Sequence, residues 1–95
     1  MATKKFSPTK AITKTNLENV PGDKPGVYRI KNAADNILYV GIAKKGRLPD
    51  RIYEHKGEFE GGTRFQYITT KSKETAERIE EQEIKKYQPS GNKDK

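Results

Sequence analysis

Five side chains stand where their types and spacing could do chemistry: Tyr28, Tyr39, Arg51, His55 and Glu80. Tyr28 ends a Gly-Val-Tyr run and Tyr39 opens a Tyr-Val-Gly run, near mirror images at the two ends of GVYRIKNAADNILYVG. A glycine inside a strand packs nothing, so Gly41 is expected where a ligand or another backbone comes close. Glu80 lies four residues after Ala76 and four before Ile84, inside the helical stripe Ala76, Ile79, Ile84 and Tyr87. A carboxylate turned inward is costly unless it is paired, bound to a metal or open to a cleft, and Glu83, nearer the edge of the stripe, raises the same question. Arg51 and His55, four apart on a second helix, project side by side. Plain structural explanations exist for each. Glu80 can pair with an arginine or lysine or reach water, Arg51 can be solvated and His55 can be a packing residue. Tyrosines fill strand faces, as Tyr53, Tyr67 and Tyr87 are expected to do. Two helices that each turn a charged residue toward one sheet argue for a site.

The elements that must position these residues follow from periodicity and punctuation. Gly26 to Lys31 alternates, with Val27 and Arg29 on one face and Tyr28 and Ile30 on the other. Asn32 to Asn36 is a turn, and Ile37 to Ile42 is a dense β-branched strand that pairs back as a hairpin. Leu48 to His55 reads as a helix: Pro49 suits its first turn, Asp50 its positive end, and Gly57 its stop. Thr63 to Thr70 reads as a third strand, and Ser72 can cap a last helix, Lys73 to Tyr87, ended by Pro89. A short helical turn over Asn16 to Val20 precedes a Pro-Gly break. The expected fold is α+β: a small antiparallel three-stranded sheet flanked by helices, in the order β-β-α-β-α. Residues 15–92 form a single domain, 1–14 a flexible basic arm and 93–95 a polar tail.

With 95 residues, and hydrophobic residues at only 31%, one modest core is possible. Lysine and arginine outnumber aspartate and glutamate 20 to 13, a net charge of +7 that favours polyanions, above all nucleic acid. There is no cysteine, which excludes disulfides, thiolate zinc sites and cysteine nucleophiles. The longest apolar run, ILYVGIA, is too short for a membrane span, and the first residues lack a signal-peptide core. The expectation is a soluble, intracellular, cytoplasmic protein with no membrane partner.

Taken together, these residues resemble the GIY-YIG nuclease family. Gly26-Val27-Tyr28 stands at the first signature and Tyr39-Val40-Gly41 at the second. The flanking Pro25 to Arg29 and the ending IKKYQPSGN look most like the incision subunits of bacterial nucleotide-excision repair and their small stand-alone relatives. The family's helix arginine usually falls eight residues past the glycine; Arg51 is ten past Gly41, which implies a two-residue insertion in Lys44 to Arg47 and leaves Arg47 as the competing candidate. Ile52 and His55 after it favour Arg51. The metal-binding glutamate, nine residues before the closing proline, falls on Glu80, and the family asparagine on Asn92, with Gly91 replacing the aromatic residue often found before it. The resemblance spans Asn16 to Asn92, and its five short motifs, weak singly, are specific in order.

The resemblance implies a divalent-metal-dependent endonuclease acting on DNA, in repair or recombination. Glu80 would hold one Mg²⁺ or Mn²⁺ ion, Arg51 would clamp phosphate oxygens, and Tyr28 or Tyr39 would serve the attacking water. We favour Tyr28 as base, its phenol acidified by nearby positive charge, with His55 assisting proton transfer. Gly41 would leave room for the DNA backbone, and Lys44, Lys45, Arg47, Lys56, Asn92 and the arm would contact nucleic acid. Such contacts give affinity without sequence choice, which leaves specificity to a partner subunit. Two rivals remain: a catalytically silent nucleic-acid-binding module of the same fold, and a small RNA-associated basic protein, which leaves Glu80 on its stripe unexplained.

Overall fold

The computed structural model describes residues 5–59 and 61–92. The hairpin forms as its pattern dictates: β2 (Gly26–Lys31) and β3 (Ile37–Ala43) run antiparallel with Tyr28 opposite Gly41 and Ile30 opposite Tyr39. β4 (Arg64–Thr69) pairs with the other side of β2, placing Val27 opposite Ile68 and Tyr28 opposite Tyr67. β2 is therefore the central strand. Its residues are buried apart from Arg29, which is half-buried.

The period-2 alternation puts two apolar sets on opposite faces of the sheet. On one face Tyr28, Ile30, Tyr39 and Phe65 pack with Leu48 and Ile52 of helix α2 (Leu48–Glu54). On the other, Val27, Val40 and Ile68 pack with Ala76 of helix α3 (Lys73–Tyr87), flanked by Ile42, Ile79 and Ile84. Ser72 caps α3 through its side chain, which accepts from the Thr75 amide at 3.2 Å. The chain leaves α3 through Gln88 in the left-handed region, enters Pro89, and closes with a single 3₁₀ turn at Ser90–Asn92.

Two expectations about the N-terminal stretch change. The sheet has a fourth strand, β1 (Lys10–Ala11), at the free edge of β4, giving the order β1-β4-β2-β3. Within the expected flexible arm, Ile12 is fully buried in the α2-side core and its amide donates to the Thr63 carbonyl at 2.8 Å. Ser7 exchanges two bonds with the Tyr67 backbone, and Arg29 lies 3.7 Å above the Phe6 ring. Phe6 and Ile12 are the reason: two apolar residues among lysines suffice to dock a segment against an open strand edge. A first helix, α1 (Lys14–Leu17), follows, capped by Thr13 and buried through Leu17. Residues 1–4 and the expected tail 93–95 lie outside the described residues.

Candidate active site

The site grows from the hairpin register. Tyr28 faces Gly41 across the ladder, so its ring lies over a position without a side chain. A Cβ built on Gly41 would stand 2.5 Å from the Tyr28 oxygen and 2.8 Å from a Tyr39 ring carbon. Gly41 is buried, and the space it leaves is filled by the two tyrosines rather than held open for a DNA backbone, which corrects the sequence expectation. The two rings lie 6.2 Å apart, centre to centre, both buried.

His55 ends α2 as its C-cap and is itself buried, as the stripe Leu48, Ile52, His55 requires. Its Nε2 lies 2.8 Å from the Tyr28 oxygen, and its Nδ1 lies 2.8 Å from a Glu58 carboxylate oxygen. The Tyr39 ring stacks 4.8 Å from Phe59, and His55 lies 4.8 Å from Tyr39. Glu58 and Phe59 escaped the sequence reading because they fall in an aperiodic, glycine-punctuated stretch. The available signal was local: a glycine at 57 that turns the chain back toward the helix end.

The ionisation of Tyr28 reports its neighbours. Burial pushes its phenol well above the ordinary tyrosine value, and Tyr39 pushes it further. The Arg51 charge and hydrogen bond pull it back, while the Glu80 carboxylate pushes it up again. Arg51 on α2 and Glu80 on α3 thus both act on the phenol of β2 from opposite layers of the fold. The expected acidification of Tyr28 is not met by this chain's own groups, because burial outweighs the single guanidinium beside it.

The carboxylate puzzle on α3 resolves into two cases. Glu83 accepts from the Arg29 Nε at 2.6 Å, with both side chains largely buried. Glu80 is half-buried and borders an open groove of about 530 Å³ with Glu77, Glu81, Ile84 and Lys85. A second groove of about 410 Å³, lined by Ile42, Ala43, Lys44, Arg47, Arg51, Lys73 and Glu77, adjoins it through Glu77. The cations thus line a groove beside β3, and Glu80 lines a neighbouring one that shares Glu77. Glu54 holds both candidate arginines, at 3.0 Å from Arg47 and 3.2 Å from Arg51. Only Arg51 also reaches Tyr28.

Several expected nucleic-acid contacts are placed elsewhere. Lys44 and Arg47 line the groove, joined by Lys73, named from sequence only as the first residue of the last helix. Lys45 and Lys56 line neither groove, and the Lys56 ammonium sits 5.9 Å above the Tyr53 ring. Asn92 is buried and spends its amide on the Val40 backbone, so it braces β3 instead of facing DNA. Tyr53 and Tyr87, expected to pack, are about two-fifths exposed.

As a metal site the donor set is sparse. Among the described residues no group of three or more His, Cys, Asp or Glu is placed to hold an ion. One carboxylate in an open groove suits a hard cation that keeps most of its water, the behaviour of Mg²⁺.

Comparison with known proteins bears on family and fold. The UvrC-like GIY-YIG domain matches residues 24–93. The chain is 37% identical over 94 residues to UvrABC system protein C of Bacteroides fragilis, covering 88% of this chain and 15% of that protein. The Clostridium acetobutylicum protein of the same name is 39% identical over 85 residues, covering 80% and 14%. The chain thus spans about 15% of the length of these curated relatives. Its fold is similar to the crystal structure of the N-terminal GIY-YIG endonuclease domain of Thermotoga maritima UvrC bound to its catalytic magnesium (TM-score 0.64, 25% identity, 84% of this chain and 99% of that one). A tyrosine point mutant of that domain, also bound to its divalent cation, matches with a TM-score of 0.62 and 26% identity, covering 84% and 98%. With both signature runs on adjacent strands and the matched segment containing the whole site, the chain belongs to the UvrC-like GIY-YIG domain family.

Proposed function

We propose that this chain is a divalent-metal-dependent endonuclease domain that hydrolyses DNA phosphodiester bonds in a repair or recombination setting. The observation that carries the reading is that Tyr28 and Tyr39 pack together over Gly41 from adjacent strands, with the Tyr28 oxygen 2.8 Å from His55 Nε2, and that Arg51 and Glu80 line two grooves that share Glu77. Mg²⁺ supported on the Glu80 carboxylate would supply charge neutralisation at the scissile phosphate and leaving oxygen. Arg51 would grip two phosphate oxygens with its planar fork. Tyr28, held protonated by its burial, would take the proton of the attacking water only while passing its own on to His55 Nε2, 2.8 Å away. Lys44, Arg47 and Lys73 would seat flanking phosphates along the groove. The proposed partner is DNA. None of these contacts reads base edges, so substrate choice falls to a partner subunit or to further protein outside these residues.

The test is incubation of the purified chain with linear, flapped and branched DNA in Mg²⁺, Mn²⁺ or EDTA, beside Glu80→Gln. Cleavage that requires metal and falls at least about 10³-fold in the variant supports the reading. Tight DNA binding with no cleavage under any metal would replace it with the silent module.

A further inference from the structure

Just past α2 the backbone makes a tight reversal at Gly57. His55 leaves the helix, Gly57 adopts φ +78°, and the Glu58 amide donates to the His55 carbonyl at 3.1 Å. Only glycine enters that left-handed region without strain, so residues 55–58 fold back on themselves. The turn sets the Glu58 carboxylate 2.8 Å from His55 Nδ1. An ionised carboxylate can only accept a hydrogen bond, so Nδ1 must carry the ring proton. In the neutral imidazole Nε2 is then bare, and it faces the Tyr28 oxygen at 2.8 Å. The phenol donates to it, which leaves the phenol's own lone pairs for another partner.

We infer that Glu58 is a positioning residue which, by fixing the proton of His55 on Nδ1, makes Nε2 the acceptor for the Tyr28 proton during hydrolysis. The inference rests on the nuclease reading and deepens it. As the attacking water loses a proton to the Tyr28 oxygen, the Tyr28 O–H bond breaks and an Nε2–H bond forms. Tyr28 ends neutral as it began, the proton rests on His55, and the imidazolium faces the Glu58 carboxylate. The buried phenol never has to stand as an isolated phenolate. With the opposite tautomer, an Nε2–H would donate into the Tyr28 oxygen and the path would be blocked. Glu58 is about half exposed while the His55 side chain is only 10% exposed, so water competes at the carboxylate. Its action is a bias on the tautomer more than a strong ion pair.

His55 is the sole histidine, so a long-range ¹H–¹⁵N correlation spectrum of the labelled full chain contains one imidazole. In mildly alkaline buffer the wild type should show a protonated Nδ1 and a bare Nε2. Glu58→Ala should move the proton toward Nε2 and lower kcat about tenfold with KM unchanged. Glu58→Gln, whose carboxamide oxygen can still accept from Nδ1–H, should keep the wild-type tautomer and stay close to wild-type turnover. A wild type protonated on Nε2, an unchanged tautomer in Glu58→Ala, or a Glu58→Gln as slow as Glu58→Ala each overturns the inference. A chain that shows the expected tautomers but cleaves no DNA sinks the nuclease reading while upholding the role of Glu58 in setting the ring.

Discussion

Asn92 treats Val40 as a neighbouring strand would: the Val40 amide donates to its Oδ1 at 2.9 Å, and its Nδ2 donates to the Val40 carbonyl at 3.0 Å. β3 is the outermost strand on this side of the sheet, so one side chain supplies a rung of a missing partner. Asn92→Ala leaves both Val40 groups without that partner and should cost about 2 kcal/mol. At this chain length the midpoint should fall by roughly 8–15 °C in a thermal melt. Asn92→Asp should lose nearly as much, since a carboxylate cannot donate to the carbonyl. DNA affinity measured well below the melt should be unchanged; a specific loss of affinity at unchanged stability would return Asn92 to the interface.

Tyr28 makes stability fall at alkaline pH. Its folded phenol ionises above the ordinary value, chiefly because it is buried. In the unfolded chain it ionises near about 10. Above that pH the native state keeps a proton that the unfolded state has lost, so unfolding is favoured as pH rises. The contribution is present in full below about 10 and fades above it. Tyr28→Phe should flatten the alkaline limb of a plot of melting temperature against pH. In wild type, one ring's phenolate absorbance should appear only with unfolding; equal limbs for the two proteins would contradict the burial argument.

Arg51 and Arg47 share Glu54 yet should fail differently. Arg51→Ala removes the guanidinium that also reaches Tyr28, and single-turnover rates at saturating enzyme should drop about 10²-fold or more. Arg51→Lys should rescue poorly, because an ammonium cannot form the bidentate fork. Arg47→Ala should leave the maximal rate near wild type and lower the slope of log K against log salt by about 0.9. A dead Arg47→Ala beside an active Arg51→Ala would move the insertion in Lys44 to Arg47.

Deleting residues 1–10 should lower the melting temperature, not merely the affinity for DNA. It removes the Phe6 ring from Arg29, the Ser7 bonds to Tyr67 and the Lys10 half of β1. Together these should be worth about 2–3 kcal/mol. Phe6→Ala alone should cost about 1 kcal/mol. An unchanged melt in the deletion would return the segment to the status of a free arm.

Much of this was legible before any coordinates. The hairpin, β4 and α3 follow from period and punctuation, and Lys73–Tyr87 is bounded as its cap and proline require. The stripe on α3 marked both Glu80 and Glu83 as inward carboxylates, but sequence could not name the partner of Glu83. That partner is Arg29, distant in sequence, which arrives beside it. Glu58 was invisible for the complementary reason: its role depends on one glycine's φ, and no periodicity marks a turn. The N-terminal segment misled because lysine-rich composition averages away a single Phe6 and a single Ile12.

The empty position at Gly41 couples two tyrosines from neighbouring strands. Two phenols occupy the volume that its side chain would take, so neither ring can keep its place if that volume is filled. Grafting the tyrosines into another sheet without the glycine would transplant the reactive atoms and lose their spacing. Conversely, a methyl group at Gly41 offers a way to disarm the domain while leaving every polar group of the site in the sequence. Such a variant is a cleaner inactive control than removal of a charge, since the field along the groove beside β3 stays as it was.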